Sequence, residues 1–260
     1  MARPGPGRGA WVAAIVLFEL WAIWFFLMNA PPTEVLHDDM REQTSPNIRR
    51  CLSTDDRELK YVKAGQCVTI TDRIKAIEEV VAQTTALLER LQVVYWLDSG
   101  TLLGQYRDKR TIPRDSDGDV GVLVEGFERL RTTPVRLAEG YELLVRNSSI
   151  HDGRGRFDGL PARVVETTFG FYVDIFVFLE STNDDAEATP MLGPLPSECW
   201  VGCANCPTTG HIKKHFVIPR SWVLPVKPCI LNEFEVSCPA RPVPYLSHLY
   251  GDSFLVPTAW

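Results

Sequence analysis

Three aspartates alternate in Asp115-Ser116-Asp117-Gly118-Asp119. On an extended chain alternate side chains share a face, so these carboxylates converge. Like charges on one edge are tolerated either in a solvated acidic turn or around a cation. A calcium loop of the EF-hand type does not fit. Counted from Asp115, its glycine position holds Val120 and its final glutamate position holds Gly126. A further acid, Asp174, interrupts the apolar run from Phe171 to Phe178. Burying an unpaired carboxylate is expensive, so Asp174 must be protonated, hydrogen-bonded or metal-bound. An acidic strand edge beside one acid on a buried strand is how a sheet assembles a divalent-metal site. Oxygen-only ligands favour Mg2+ or Mn2+. Asp117, Asp119 and Asp174 are the candidate ligands, and Asp115 is a further ligand or a general base. Clustered acids repel without a cation, so losing any of the three ligands is expected to leave the metal-free fold intact or steadier.

A second constellation is Asp98-Ser99-Gly100-Thr101-Leu102-Leu103-Gly104, between an apolar strand and a helix. Such a turn is often plain connection. Its backbone N–H groups and hydroxyls can also cradle an anion. Arg107, Lys109, Arg110 and Arg114 add positive charge before the acids. Ser99, Gly100, Thr101 and Arg107 are therefore candidate phosphate contacts. His151 and the arginines at 154, 156 and 163 read as surface or loop residues.

These side chains need a scaffold. Thr71 and Asp72 can cap a helix carrying Ile74, Ile77, Val81, Leu88 and Leu91 at three- and four-residue steps. Strands are predicted over Val93–Leu97, near Asp119–Val124, over Val164–Thr168 and over Phe171–Leu179, the last buried on both faces. A short helix is predicted over Thr101–Arg107, a hairpin over Cys229–Cys238 and a final helix over Pro244–Tyr250. Strands mixed with helices without strict alternation imply an α+β or mixed-sheet α/β domain.

Ahead of it, Ala10–Met28 is apolar except for Glu19. The segment is long enough for a bilayer, and Arg3 and Arg8 precede it. This predicts an uncleaved anchor with the bulk of the chain lumenal. Charge is 27 Lys+Arg against 33 Asp+Glu in 260 residues, a net of −6, with no basic run. Nucleic acid is excluded as a partner on that ground. Seven cysteines suit an oxidising compartment, with Cys51–Cys67 a predicted disulfide. Cys199, Cys203 and Cys206, with His211 and His215, form either a zinc-bearing loop or disulfides that also use Cys229 and Cys238. Asn147-Ser148-Ser149 is a glycosylation sequon.

Taken together, the stretch Trp96–Arg107, then Ile112-Pro113-Arg114-Asp115-Ser116-Asp117-Gly118-Asp119, Val173-Asp174-Ile175-Phe176, and Tyr245-Leu246 through Leu249-Tyr250-Gly251-Asp252 resembles the LicD/fukutin family in motif order. The resemblance implies a nucleotidyltransferase-like domain and a metal-dependent transferase. Such an enzyme moves a phospho-alditol or phosphocholine-type group from a CDP-activated donor onto a glycan or glycoprotein. The implied layout is a cytosolic tail (1–9), a transmembrane signal-anchor (10–29), a lumenal stem (30–72) and a catalytic domain (73–260). That is a single-pass type II protein of the Golgi or ER. A structural Zn2+ is also implied by some members. Arg114 stands where the family usually has an aromatic residue, and Gly118 where it has a branched one. The other readings are an inactive glycan-binding relative and an enzyme that makes an activated sugar.

Overall fold

The computed structural model describes residues 51–153, 160–181, 189–195, 203–206 and 216–257, with the backbone alone at 208–209 and 213–214. The expected tail, the anchor and the stem up to residue 50 lie outside the described residues, as do Cys199, His211, His215, Arg154 and Arg156. Among the described residues no helix is long and apolar enough to cross a membrane.

Helix α1 (Ile70–Arg90) starts at Thr69, not Thr71. Thr69 Oγ1 accepts from the Asp72 N–H at 3.2 Å, and the Asp72 carboxylate accepts from the Thr69 N–H at 2.9 Å. This reciprocal box satisfies two of the donors that a helix start leaves unpaired. Ile77, Val81 and Leu88 of the expected stripe are buried, and α1 packs on strands β2, β4 and β5 defined below.

The sheet comprises β1 (Tyr95–Leu97), β2 (Gly118–Leu123), β3 (Tyr141–Val145), β4 (Ala162–Glu166), β5 (Tyr172–Ser181), β6 (Met191–Leu195) and β9 (Ile218–Pro219). A separate pair joins β7 (Thr208–Thr209) to β8 (Lys213–Lys214). Helix α2 (Ser99–Asp108) follows β1, and α3 (Val124–Thr132) follows β2. The order is β1-β2-β5-β4-β3, with β6 on β5 and β9 on β6. Only β2 and β5 run parallel; the other pairs are antiparallel. Strand β5 is central. It pairs with β2 over 173–178 on one edge, and with β4 then β6 on the other. Tyr172–Phe178 is accordingly buried on both faces. The mixed sheet agrees with the expected fold class.

Alternation decides which face does what. Val120, Val122, Val173 and Ile175 join the main core under α1. The period of two turns Asp119 and Asp174 to the opposite face. There Leu144, Val165 and Tyr172 form a smaller cluster with Tyr61. Tyr61 belongs to the segment 51–69, which lies against the sheet. Leu52 N–H bonds Val68 O at 2.8 Å, Glu58 N–H bonds Gly170 O at 2.8 Å, and Cys51–Cys67 closes the loop as expected.

The chain ends in α4 (Arg220–Val223), the hairpin β10 (Lys227–Leu231) and β11 (Phe234–Cys238), and α5 (Pro242–Tyr250). Cys229–Cys238 staples the hairpin. Tyr245 of α5 reaches the core, with its ring 5.4 Å from that of Phe216.

Candidate metal centre

Asp119 is the register partner of Asp174 across the parallel β2–β5 pair. Asp117, two residues earlier, shares their face. One carboxylate oxygen from each of Asp117, Asp119 and Asp174 lies within 4.8 Å of the others, with Asp119 and Asp174 buried. Burial, then the fields of Asp115 and Asp174, hold the Asp117 carboxyl well above the usual range. Burial, then Asp117, Asp115, Asp174 and Asp98, do the same to Asp119. Negative charge is concentrated here beyond what the site comfortably holds. Asp115 stands slightly apart, over the first turn of α2, where a Cβ on Gly100 would overlap its carboxylate. Burial pushes it up to about 6, against the Ser116 N–H and Arg73.

Asp174 is hydrogen-bonded, one of the three states open to it in the sequence. Its partner is Arg163, the residue opposite it on β4. Nε meets Oδ1 at 2.6 Å and Nη2 meets Oδ2 at 3.0 Å. Expected at the surface, Arg163 is instead 1% exposed, because its strand position faces the 51–69 segment, an N-terminal strap, and not solvent. The guanidinium carbon lies 3.4 Å from the Tyr172 ring centroid, and Nη1 is 3.6 Å from Glu58 Oε2. Burial alone would lower the Arg163 pKa; Asp174, then Tyr172 and Glu58, more than reverse that.

The start of α2 adjoins these acids. Asp98 is its N-cap and accepts from Ser99 N–H at 2.7 Å and from Tyr245 O–H at 2.7 Å. Fully buried, Asp98 is pushed up to about 7, against those two donors. Thr101 Oγ1 accepts from Asp119 N–H at 2.8 Å, so this hydroxyl anchors the beginning of β2. Gly100 and Thr101 thus lie beside the carboxylates. Arg107 sits about 10 Å further along the helix axis, where it pairs with Asp108 at 2.8 Å. The expected phosphate contacts are therefore split between the two ends of one helix.

Tyr250 carried no role in the sequence reading beyond its place in the C-terminal motif. Burial, then the fields of Asp119, Asp115, Asp98 and Asp117, push its phenol well up, although 39% of the residue stays exposed. Gly118 also has a local reason. A Cβ there would lie 2.8 Å from Val81 Cγ2 and 3.0 Å from Val173 Cγ2, so α1 seats where a branched side chain would stand. Arg114 is exposed at the loop.

Away from this site, Cys203 and Cys206 are bonded to each other, which leaves neither thiolate to hold a metal. Among the described residues, the imidazole beside them is that of His248, with Nε2 3.7 Å from Cys206 Sγ. Asn147 is exposed just after β3.

The parallel β2–β5 pair thus presents opposed aspartates beside a capped strand–helix turn. The family model described as LicD/FKTN/FKRP, nucleotidyltransferase domain, matches residues 92–241, and the chain belongs to that family. It is similar to the protein named ribitol-5-phosphate transferase FKTN of Macaca fascicularis, 26% identical over 175 residues, which cover 59% of this chain and 34% of that protein. The Homo sapiens counterpart is 25% identical over 175 residues with the same coverage. An uncharacterized protein of Rickettsia prowazekii (strain Madrid E) is 32% identical over 72 residues, 28% of this chain and 25% of that one. The aligned region spans about a third of the FKTN proteins' length.

Proposed function

We propose that the chain is a metal-dependent phosphotransferase of the secretory pathway, in the Golgi or ER. It would take a phospho-alditol or phosphocholine-type group from a CDP-activated donor and place it on a glycan. Membership of the family and the likeness to proteins named as ribitol-5-phosphate transferases support the reaction class. The observation that carries the reading is the convergence of Asp117, Asp119 and Asp174 within 4.8 Å. Three hard oxygen donors whose charges repel suit Mg2+ or Mn2+. Held by those three carboxylates, such a cation would offset the donor's diphosphate charge and that of the departing cytidine monophosphate.

The chain's own groups supply the rest. The amides of Gly100 and Thr101 at the start of α2 face the anionic part of the donor. Arg107, at the helix's far end, would contact a different part of the ligand. Asp115, raised to about 6 and outside the ligand trio, takes the proton of the acceptor hydroxyl. The acceptor oxygen forms a new ester bond to the donor's distal phosphorus while the diphosphate P–O bond breaks and CMP leaves. An anchor over 10–29 would hold this domain in the lumen, where Asn147 would carry a glycan. Thermal denaturation tests the reading: Mn2+ with CDP should stabilise wild type and not Asp117→Asn. Equal shifts for both proteins would refute it.

A further inference from the structure

Arg163 is a fully buried charged side chain, and the proposed chemistry leaves it without a task. It is 1% exposed, yet it spans two separate pieces of chain. One arm grips both oxygens of Asp174, at 2.6 and 3.0 Å, and the other approaches Glu58 at 3.6 Å. Tyr172 floors the guanidinium at 3.4 Å. Glu58 is itself 4% exposed and is tied to the β4–β5 turn by its backbone, donating to Gly170 O at 2.8 Å.

We propose that Arg163 is a positioning residue for the metal site. Its fork fixes the Asp174 carboxylate opposite Asp119, and Glu58 from the N-terminal strap fixes Arg163. The proposal rests on the metal-site reading above. A carboxylate offers about four acceptor positions, and the fork takes one on each oxygen. The group can therefore be held in orientation and still present an oxygen to the shared space, as it does within 4.8 Å of Asp117 and Asp119. A planar guanidinium restrains a carboxylate in two directions; an ammonium on a flexible stem does not. Partners of metal ligands typically govern affinity through orientation of this kind.

The Arg163→Lys variant isolates the effect, because it keeps the positive charge and removes the fork. Mn2+ affinity is measured by titration calorimetry on the purified chain, with melting temperature in chelator as the fold control. Arg163→Lys should bind Mn2+ about tenfold more weakly, and Glu58→Gln should show a smaller loss in the same direction. A purely structural role would lower the melting temperature and leave affinity unchanged, and that result overturns the proposal. Should Arg163→Lys fail to fold, Glu58→Gln carries the test alone: weaker Mn2+ binding supports the proposal and unchanged binding refutes it. Wild type that binds no Mn2+ refutes the metal reading and this inference with it; wild-type binding matched by the variant refutes only the inference.

Discussion

Asp119 and Asp174 face each other across the parallel β2–β5 ladder, one with carboxylate neighbours and the other gripped by Arg163. Removing charge from the two therefore has opposite consequences. Asp119 and Asp117 are held well above the usual carboxylate range by burial and like charge. Asp117→Asn should therefore stabilise the metal-free fold at pH 7 while abolishing stabilisation by Mn2+. Urea denaturation in chelator and in Mn2+ reads both effects; a less stable apo variant would contradict the electrostatic account.

Asp174→Asn should behave otherwise, against the expectation that all three acids are expendable to the metal-free fold. It takes the charged partner from a buried guanidinium, a change that costs about 3–5 kcal/mol. The metal-free variant should lose stability of that order. An unchanged denaturation midpoint would mean the pair contributes little.

Stability should also fall with pH where it usually rises. Asp98 is raised from 3.8 to about 7 and Asp115 from 3.8 to about 6. A raised carboxyl favours the folded state below its unfolded pKa, and that contribution is lost as pH climbs to the folded value. Between about pH 4 and 7 the metal-free protein should therefore weaken on this account. His248, lowered by burial, opposes the trend near its ordinary pKa of 6.5. The cleaner reading is the difference from Asp98→Asn, whose stability should decline less over this window. Parallel curves would contradict the assignment.

Much of this arrangement was legible in the sequence, because period and spacing carry it. The acids alternate on one strand, and Asp174 stands out inside an apolar run. Strand β5, α2, the β10–β11 hairpin and α5 were recognisable from their patterns. Arg163 was not, since a single arginine in a short strand carries no periodic signal of burial; only the β4–β5 register reveals its partner. The helix α3, Val124–Thr132, and strands β3 and β6 were missed because short segments of mixed polarity look like loop. The sequence reading puts the cap at Thr71 and Asp72, whereas the box geometry puts it at Thr69.

The glycine at 118 supplies a packing test. Gly118→Ala would press on Val81 and Val173 at 2.8 and 3.0 Å and should cost about 1–3 kcal/mol. Adding Val81→Ala opens that space, so the double variant should be more stable than the sum of the two single losses by at least about 0.5 kcal/mol. Strict additivity would show that α1 does not press on β2 at this point.

The central claim is transfer chemistry at the acid cluster, and CMP release tests it most directly. Purified chain would be incubated with CDP-ribitol and other CDP-activated donors, a glycan panel and Mn2+, and nucleotide release and acceptor mass followed. Wild type should release CMP in step with acceptor phosphorylation, stop in chelator, and lose activity at least about a hundredfold in Asp119→Asn. Turnover that survives chelation, or that Asp119→Asn supports at the wild-type rate, would contradict the account.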